Sequence, residues 1–345
     1  MLLDQIAGHD RAKATLKRAV RGDTPAHAYL FLGPPSVGKT ATALAFAGDL
    51  FEVTGTPARA GVHADLWFED SDAETISIDV IRRDSKNRAD SRDGGKGDGS
   101  KSGVPAQPLQ TFLGLRGMRS DRRVAVIARA ERLRETAAAP LLKTIEEPPD
   151  GAVLILCAEA AELLPTTIRS RCQVLEFSRL NDVDLRDFVE QRGAELPGPL
   201  LRLAQGRPGL ALELAADPVS AKRRLDWGSA LESVAGGSWL DIVSLGGRFG
   251  GADSGKNRTL AREALDCWES WLRDFAAGRA GAADLTLGPT GPDAGDPNWA
   301  NIALPALVDI WGSVREAADR VESNVNPRLA IEVFLADVQR AHAAG

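Results

Sequence analysis

The chain has 345 residues, 43% of them hydrophobic and 26% charged, with a net charge of −6. That length exceeds one ordinary core and predicts two or three domains of a soluble globular protein. No apolar stretch approaches the roughly 20 residues of a membrane span, Met1-Leu2-Leu3-Asp4-Gln5 has no signal-peptide character, and the acidic balance excludes a surface that coats DNA throughout.

The first informative element is an apolar run, Tyr29-Leu30-Phe31-Leu32, followed by Gly33-Pro34-Pro35-Ser36-Val37-Gly38-Lys39-Thr40 and a helical stretch, Ala41–Phe46. Strand, loop and helix in that order are the context a phosphate-binding loop needs. The glycines let backbone N–H groups curl around phosphate oxygens, and the helix N-terminus adds its positive dipole end. Lys39 then reaches the β- and γ-phosphates of ATP or ADP, and the Thr40 hydroxyl ligates Mg²⁺. The bland alternative is a Gly-Pro turn that ends in Lys-Thr.

Hydrolysis needs a second segment, an apolar strand that ends in Asp for the metal and commonly a following Glu for water. The candidate strand is Val124-Ala125-Val126-Ile127, and it runs into Ala128-Arg129-Ala130-Glu131. A methyl stands at the Asp position and a cation at the Glu position. Glu131 lies three residues late and is expected to open the next helix, so the site should bind nucleotide without turning it over.

Further apolar runs at Leu66–Phe68, Val153–Leu156 and Val174–Phe177 complete an alternation that predicts a parallel, doubly wound sheet. Between them, Arg83 to Gly103 has no aliphatic residue beyond one Ala, and Gly and Ser fill nine of its 21 positions. It reads as a flexible tether, with phosphate contact by its cations the alternative. After Phe177 the strand signals stop. Leu180–Ala194, Pro199–Gln205 and Leu210–Ala216 read as short helices. From about Trp227 the chain is helical except for a loop at Gly288–Pro297. Leu260, Ala264, Leu265, Trp268, Trp271, Leu272 and Phe275 make one apolar stripe, and Ile331, Phe334, Leu335 and Val338 another. Either is intramolecular core or, in part, a subunit interface. Cys157, Cys172 and Cys267 show no metal-ligand spacing and fit buried thiols in a reducing cytoplasm.

Five segments together resemble bacterial sliding-clamp loader subunits of the AAA+ class. They are Ile6-Ala7-Gly8-His9-Asp10; His27–Phe31 with the phosphate loop; Ile78-Asp79-Val80-Ile81-Arg82; Leu141-Leu142-Lys143-Thr144-Ile145-Glu146-Glu147-Pro148-Pro149; and Leu164-Pro165-Thr166-Thr167-Ile168-Arg169-Ser170-Arg171-Cys172. They follow family order over residues 3 to 178, with weaker agreement at Gly206–Ala211 and Trp271–Asp274. The start at the first motif, the lack of a long tail and the length resemble the delta-prime type of DNA polymerase III subunit more than the gamma/tau motor type.

The resemblance implies an α/β then all-α chain. Residues 1–178 would form the AAA+ parallel-sheet domain, 179–225 a helical lid, and 226–345 a helical oligomerisation collar. It implies that Arg171 of Ser170-Arg171-Cys172 acts as an arginine finger in a neighbouring subunit's site. A surface cation on a turn is the alternative. Arg169 is the nearby structural or DNA-facing charge. The polar sensor positions fall on Ala158 and Glu159, and the lid's phosphate-sensing Arg falls on Gly209, with Arg207 two residues away. The four-cysteine zinc module is absent, so zinc is not expected.

The function implied is that of a non-hydrolysing, delta-prime-like subunit of a cytoplasmic hetero-pentamer with gamma/tau and delta subunits. Such a complex acts on a sliding clamp and primer-template DNA. Arg116, Arg119, Arg122 and Arg123 form a DNA-facing or merely solvated basic face. The rivals are an active gamma-type or branch-migration motor, which the Ala128-Arg129 strand end disfavours, and a small-molecule kinase or transport ATPase, which leaves the Ser170–Cys172 turn unexplained. A diverged paralogue in another ring assembly stays open.

Overall fold

The computed structural model describes residues 1–22, 24–51, 63–71, 75–82, 107–282, 299, 302–323 and 325–343. The segments at 83–103 and 288–297 lie outside them. The chain divides into two compact units: Met1–Asp184 with Arg207–Gly209, and Leu185–Gly206 with Leu210–Gly345.

The first unit is built on five parallel strands: β1 (Ala28–Leu32), β2 (Leu66–Glu69), β3 (Arg123–Ile127), β4 (Ala152–Ala158) and β5 (Gln173–Glu176). Their order is β2-β3-β4-β1-β5. All five apolar runs are therefore strands. The four strands β1 to β4 are largely buried on both faces, as parallel sheets covered by helices require, while the edge strand β5 buries only Leu175. Leu30, Ala125, Ile127, Leu154 and Leu156 point into one core. Their neighbours Phe31, Val124, Val126, Val153 and Ile155 point into the other, the two-residue alternation of a pleated strand.

The helices of this unit are α1 (Asp10–Arg21), α2 (Lys39–Leu50), α3 (Ile78–Ile81), α4 (Leu109–Leu113), α5 (Glu135–Glu146) and α6 (Thr166–Arg169). The N-terminus is tied to α2 by Asp49, whose carboxylate accepts the Leu2 amide at 2.6 Å and the Leu3 amide at 3.0 Å. Glu131 does not open the next long helix. It sits in a single 3₁₀ turn, Ala130–Arg132, before α5 begins at Glu135.

One expectation about the basic face is corrected. Arg123 is neither solvated nor DNA-facing; its side chain is 5% exposed beside a fully buried Asp65 at 3.8 Å. Arg123 donates to the Phe112 carbonyl at 3.0 Å and the Arg116 carbonyl at 2.5 Å, and its guanidinium lies over the Phe112 ring. Asp65 in turn accepts the Met118, Arg119 and Ser120 amides at 2.6, 2.8 and 3.0 Å. A buried charge survives only with such partners, and these two hold the 116–122 loop to the start of β3.

The second unit is helical among its described residues: the remainder of α7 (Asp182–Glu190), α8 (Gly198–Ala204), most of α9 (Pro208–Ala216), α10 (Pro218–Ala235), α11 (Trp239–Gly247), α12 (Ser254–Arg279), α13 (Leu304–Glu322) and α14 (Pro327–Ala343). The lid–collar boundary expected at 225 falls inside the continuous helix α10. That helix starts where Asp217 accepts the Val219 amide and Pro218 takes the first turn. Both apolar stripes are intramolecular core. Trp268 stacks at 5.5 Å on Phe334 and meets Trp227 edge-on at 6.1 Å, and its indole N–H donates to the Trp227 carbonyl at 2.8 Å. Glu263 accepts both arms of Arg223 at 2.7 Å and the Trp227 indole at 3.1 Å.

Candidate functional site

The phosphate loop begins where β1 ends, at the carboxyl edge of the sheet beside β4 and β5. The next strand in sequence, β2, lies at the far edge, so β1 is where the strand order switches direction and a ligand crevice opens. Gly33 has φ +152° and Gly38, which caps α2, has φ +109°. Ser36 between them is also left-handed at φ 60°. The loop is fixed from outside at two points. His9 Nε2 donates to the Val37 carbonyl at 2.8 Å, and the Gly209 amide donates to the Ser36 carbonyl at 2.9 Å. Burial holds the His9 imidazole below its usual range, against the hydrogen bond to the Val37 carbonyl.

Lys39 is buried and folds back on the loop, donating to the Gly33 carbonyl and, at 2.7 Å, to the Pro34 carbonyl. Burial lowers its pKa, against the opposing pull of Cys157, Glu159 and Glu131. Burial pushes the Cys157 thiol up to about 12, with Lys39 and a hydrogen bond to Thr40 acting the other way.

A pocket of about 530 Å³ opens here, lined by Pro35, Ser36, Gly38, Lys39, Thr40 and Ala41 of the loop and α2, with Asp70, Ala128, Arg129, Glu131, Arg132, Glu159 and Gly209. Gly33, Pro34 and Val37 belong to the loop but are not among the lining residues. The pocket therefore gathers the phosphate loop, the end of β3 and the position after β4. Arg207 is buried and is not among the lining residues.

The end of β3 carries the feature that decides the chemistry. Arg129 Nη2 donates to Asp70 Oδ1 at 2.9 Å, to the Ser71 carbonyl at 3.0 Å and to the Asp70 carbonyl at 3.2 Å. Asp70, the acid beside this strand end, is thus engaged by a guanidinium. Glu131 also lines the pocket. Burial raises its pKa, the Glu159 charge adds to that, and its Oε2 has no hydrogen-bond partner among the described residues. Among the described residues no three His, Cys, Asp or Glu side chains cluster to hold a metal. Of the carboxylates lining the pocket, Asp70 is tied to Arg129 and the ionisation of Glu131 is opposed, which weakens both as ligands for Mg²⁺, an ion that takes one or two charged carboxylates plus phosphate oxygens. What remains is an anion cradle: Lys39, the α2 N-terminus, Arg129 and Arg132.

Asp70 was not singled out from sequence. Its signal was present, because the Glu69-Asp70-Ser71 cluster directly follows an apolar run and so sits at the carboxyl end of a parallel strand, where ligands bind.

Arg171 is elsewhere. It lies two residues before Gln173, which is paired with Tyr29 at the amino-terminal edge of the sheet. The phosphate loop leaves the opposite edge, and a five-residue strand spans about 16 Å. The structure does not bring Arg171 to its own pocket. Its Nε pairs with Glu146 at 2.8 Å, and Nη1 donates to the Thr167 carbonyl at 3.1 Å and to Ser170 Oγ at 3.3 Å. Its side chain is 42% exposed.

A relative described as DNA polymerase III subunit delta' from Bacillus subtilis (strain 168) is 26% identical over 226 residues, covering 62% of this chain and 61% of the relative. A replication factor C small subunit from Natronomonas pharaonis is 25% identical over 355 residues, covering 99% of this chain and 93% of the relative. The chain spans about three fifths of the Bacillus relative, and 47% of a replication factor C small subunit from Methanosarcina barkeri. A solved DNA polymerase III gamma subunit-related protein from Thermotoga maritima aligns over 95% of this chain and 99% of its own, with 18% identity and a TM-score of 0.45. The family model for DNA polymerase III, delta subunit, matches residues 8–181. By that match the chain belongs to the DNA polymerase III delta-subunit family of clamp-loader proteins.

Proposed function

We propose that this chain is a delta-prime-like, non-hydrolysing subunit of a clamp loader. It holds nucleotide statically on the phosphate loop and lends Arg171 to the ATP site of a neighbouring motor subunit. The observation that carries the reading is the end of β3, where Ala128 and a guanidinium tied to Asp70 stand in place of the acid pair that hydrolysis uses. The position of Arg171 at the amino-terminal edge of its own sheet supports action in trans. A guanidinium is always charged and meets phosphate oxygens in a planar fork.

The proposed partners are gamma/tau-type motor and delta subunits in a hetero-pentamer, with a sliding clamp and primed DNA as the objects of the assembly. Residues 179–225 and 226–345 serve as lid and collar in this reading. The relatives named replication factor C small subunits keep one rival in play, an active motor. Steady-state ATPase with primed DNA and clamp separates the two, measured on this chain alone and with its motor subunits, wild type against Arg171→Ala. Negligible turnover alone and a collapse of the complex's rate with the assembled mutant is the expected result. Turnover by the chain alone would establish the motor instead. An unchanged rate with Arg171→Ala would leave a purely architectural subunit.

A further inference from the structure

We infer that the pocket on the phosphate loop takes a nucleoside diphosphate without a divalent cation, with the Arg129 guanidinium doing the charge neutralisation that Mg²⁺ would otherwise do. This rests on the reading of the pocket as a nucleotide site and says in which ionic form the nucleotide is held.

In a hydrolytic site the metal bridges β- and γ-oxygens and is itself held by acid at the end of a second apolar strand, whose counterpart in this chain is β3. Here that strand end offers the Ala128 methyl and then Arg129, both in the pocket wall. Asp70, the acid that could still approach an ion from β2, spends an oxygen on Arg129 at 2.9 Å. A cation entering there would have to break that pair and lie against the guanidinium, so two positive charges would compete for one carboxylate. Glu131 does not replace it. Its carboxyl is buried, one oxygen is without a hydrogen-bond partner among the described residues, and the Glu159 charge opposes its ionisation.

An anion meets the opposite situation. Lys39, Arg129 and Arg132 line the same pocket as the N-terminus of the twelve-residue helix α2. In the ligand-free chain Lys39 is satisfied by the Gly33 and Pro34 carbonyls; a phosphate would draw it off them. Without a metal to bridge to the γ-phosphate, a third phosphate gains less here than in a metal-bridging site and must share Lys39 with the β-phosphate. The site therefore favours the diphosphate or treats the two alike, whereas a metal-bridging site favours the triphosphate.

The test is a calorimetric or fluorescence titration of the full chain with ADP and with ATP, each in excess Mg²⁺ and in EDTA. The expected result is ADP affinity that changes by less than about twofold when the metal is removed, with ATP no tighter than ADP. Arg129→Ala should then weaken metal-free ADP by about tenfold or more, the loss of one charge-assisted contact. The pair Ala128→Asp with Arg129→Glu should make binding depend on Mg²⁺. The wild-type comparison needs no variant, so the inference stays open to refutation even if a variant fails to fold. A tenfold or greater loss of wild-type ADP affinity in EDTA would overturn the metal-free form while leaving the nucleotide reading intact. No binding of either nucleotide under either condition would overturn both.

Discussion

Gly33 lies so close to Phe177 that a Cβ placed on it would meet the Phe177 carbonyl oxygen at 2.1 Å. The contact follows from the sheet. The Phe177 amide donates to the Leu32 carbonyl at 2.7 Å, so the chain leaving β5 runs directly alongside the first residue of the phosphate loop. Gly33 also has φ +152°, a conformation only glycine adopts readily. Gly33→Ala should therefore cost about 3 kcal/mol or more, measured by urea unfolding. A loss below about 0.5 kcal/mol would show that the strand and loop do not come this close in solution.

Asp65 and Arg123 form a buried charged pair in the first unit. Removing one member leaves the other buried and uncompensated, so Asp65→Asn is expected to cost about 3–5 kcal/mol. The pH dependence adds a check. Burial raises the Asp65 pKa, but the Met118, Arg119 and Ser120 amides and Arg123 more than offset it, and the net shift is downward from 3.8. A depressed carboxylate contributes stability that is complete above its unfolded pKa and is lost as pH falls through the folded value. The gap between wild type and Asp65→Asn should hold constant above about pH 5 and narrow below 3.8. A constant gap down to pH 2 would contradict the charged pairing.

Glu131 should behave in the reverse sense. Its pKa is raised by burial, so the stability it contributes is present below the unfolded value of 4.5 and is lost as pH rises through the folded value. Glu131→Gln keeps the shape and removes the charge. Its melting temperature should exceed that of wild type at pH 7.5 and match it near pH 4. A lower melting temperature at pH 7.5 would mean that the carboxylate is ionised and needed there.

The sheet was legible in the sequence because β1 and β4 are unbroken apolar runs and β2 and β3 are nearly so, the mark of strands buried on both faces, whereas the edge strand β5 keeps only Val174 and Leu175 as its apolar signal. The phosphate loop was legible because its glycines and Lys39 have fixed spacing. The roles of Arg123 and Asp70 were not. Arg123 reads as one of four basic residues in a row of eight, and only the fold reveals that it begins β3 opposite Asp65, 58 positions earlier. Asp70 and Arg129 are 59 positions apart and meet because β2 and β3 are neighbours in register, Glu69 against Ile127. Single-chain periodicity carries no information on which strands pair. The short helices α3, α4 and α6, four or five residues each, leave too few turns for an apolar period to emerge.

Arg171 offers a last test, because its role in trans and its role in this fold can be separated. Its pair with Glu146 is between side chains 42% and 48% exposed, and such pairs contribute about 0–1 kcal/mol. Its bonds to the Thr167 carbonyl and Ser170 Oγ fasten it only to its own turn. Arg171→Ala should accordingly melt within about 2 °C of wild type and keep its circular dichroism. Arg171→Lys keeps the charge near Glu146 but not the planar fork. If Arg171 meets phosphate in a neighbour, lysine should leave stability untouched and still lose most of the complex's ATPase rate. If lysine restores the full rate, a point charge at this turn suffices and the finger assignment fails.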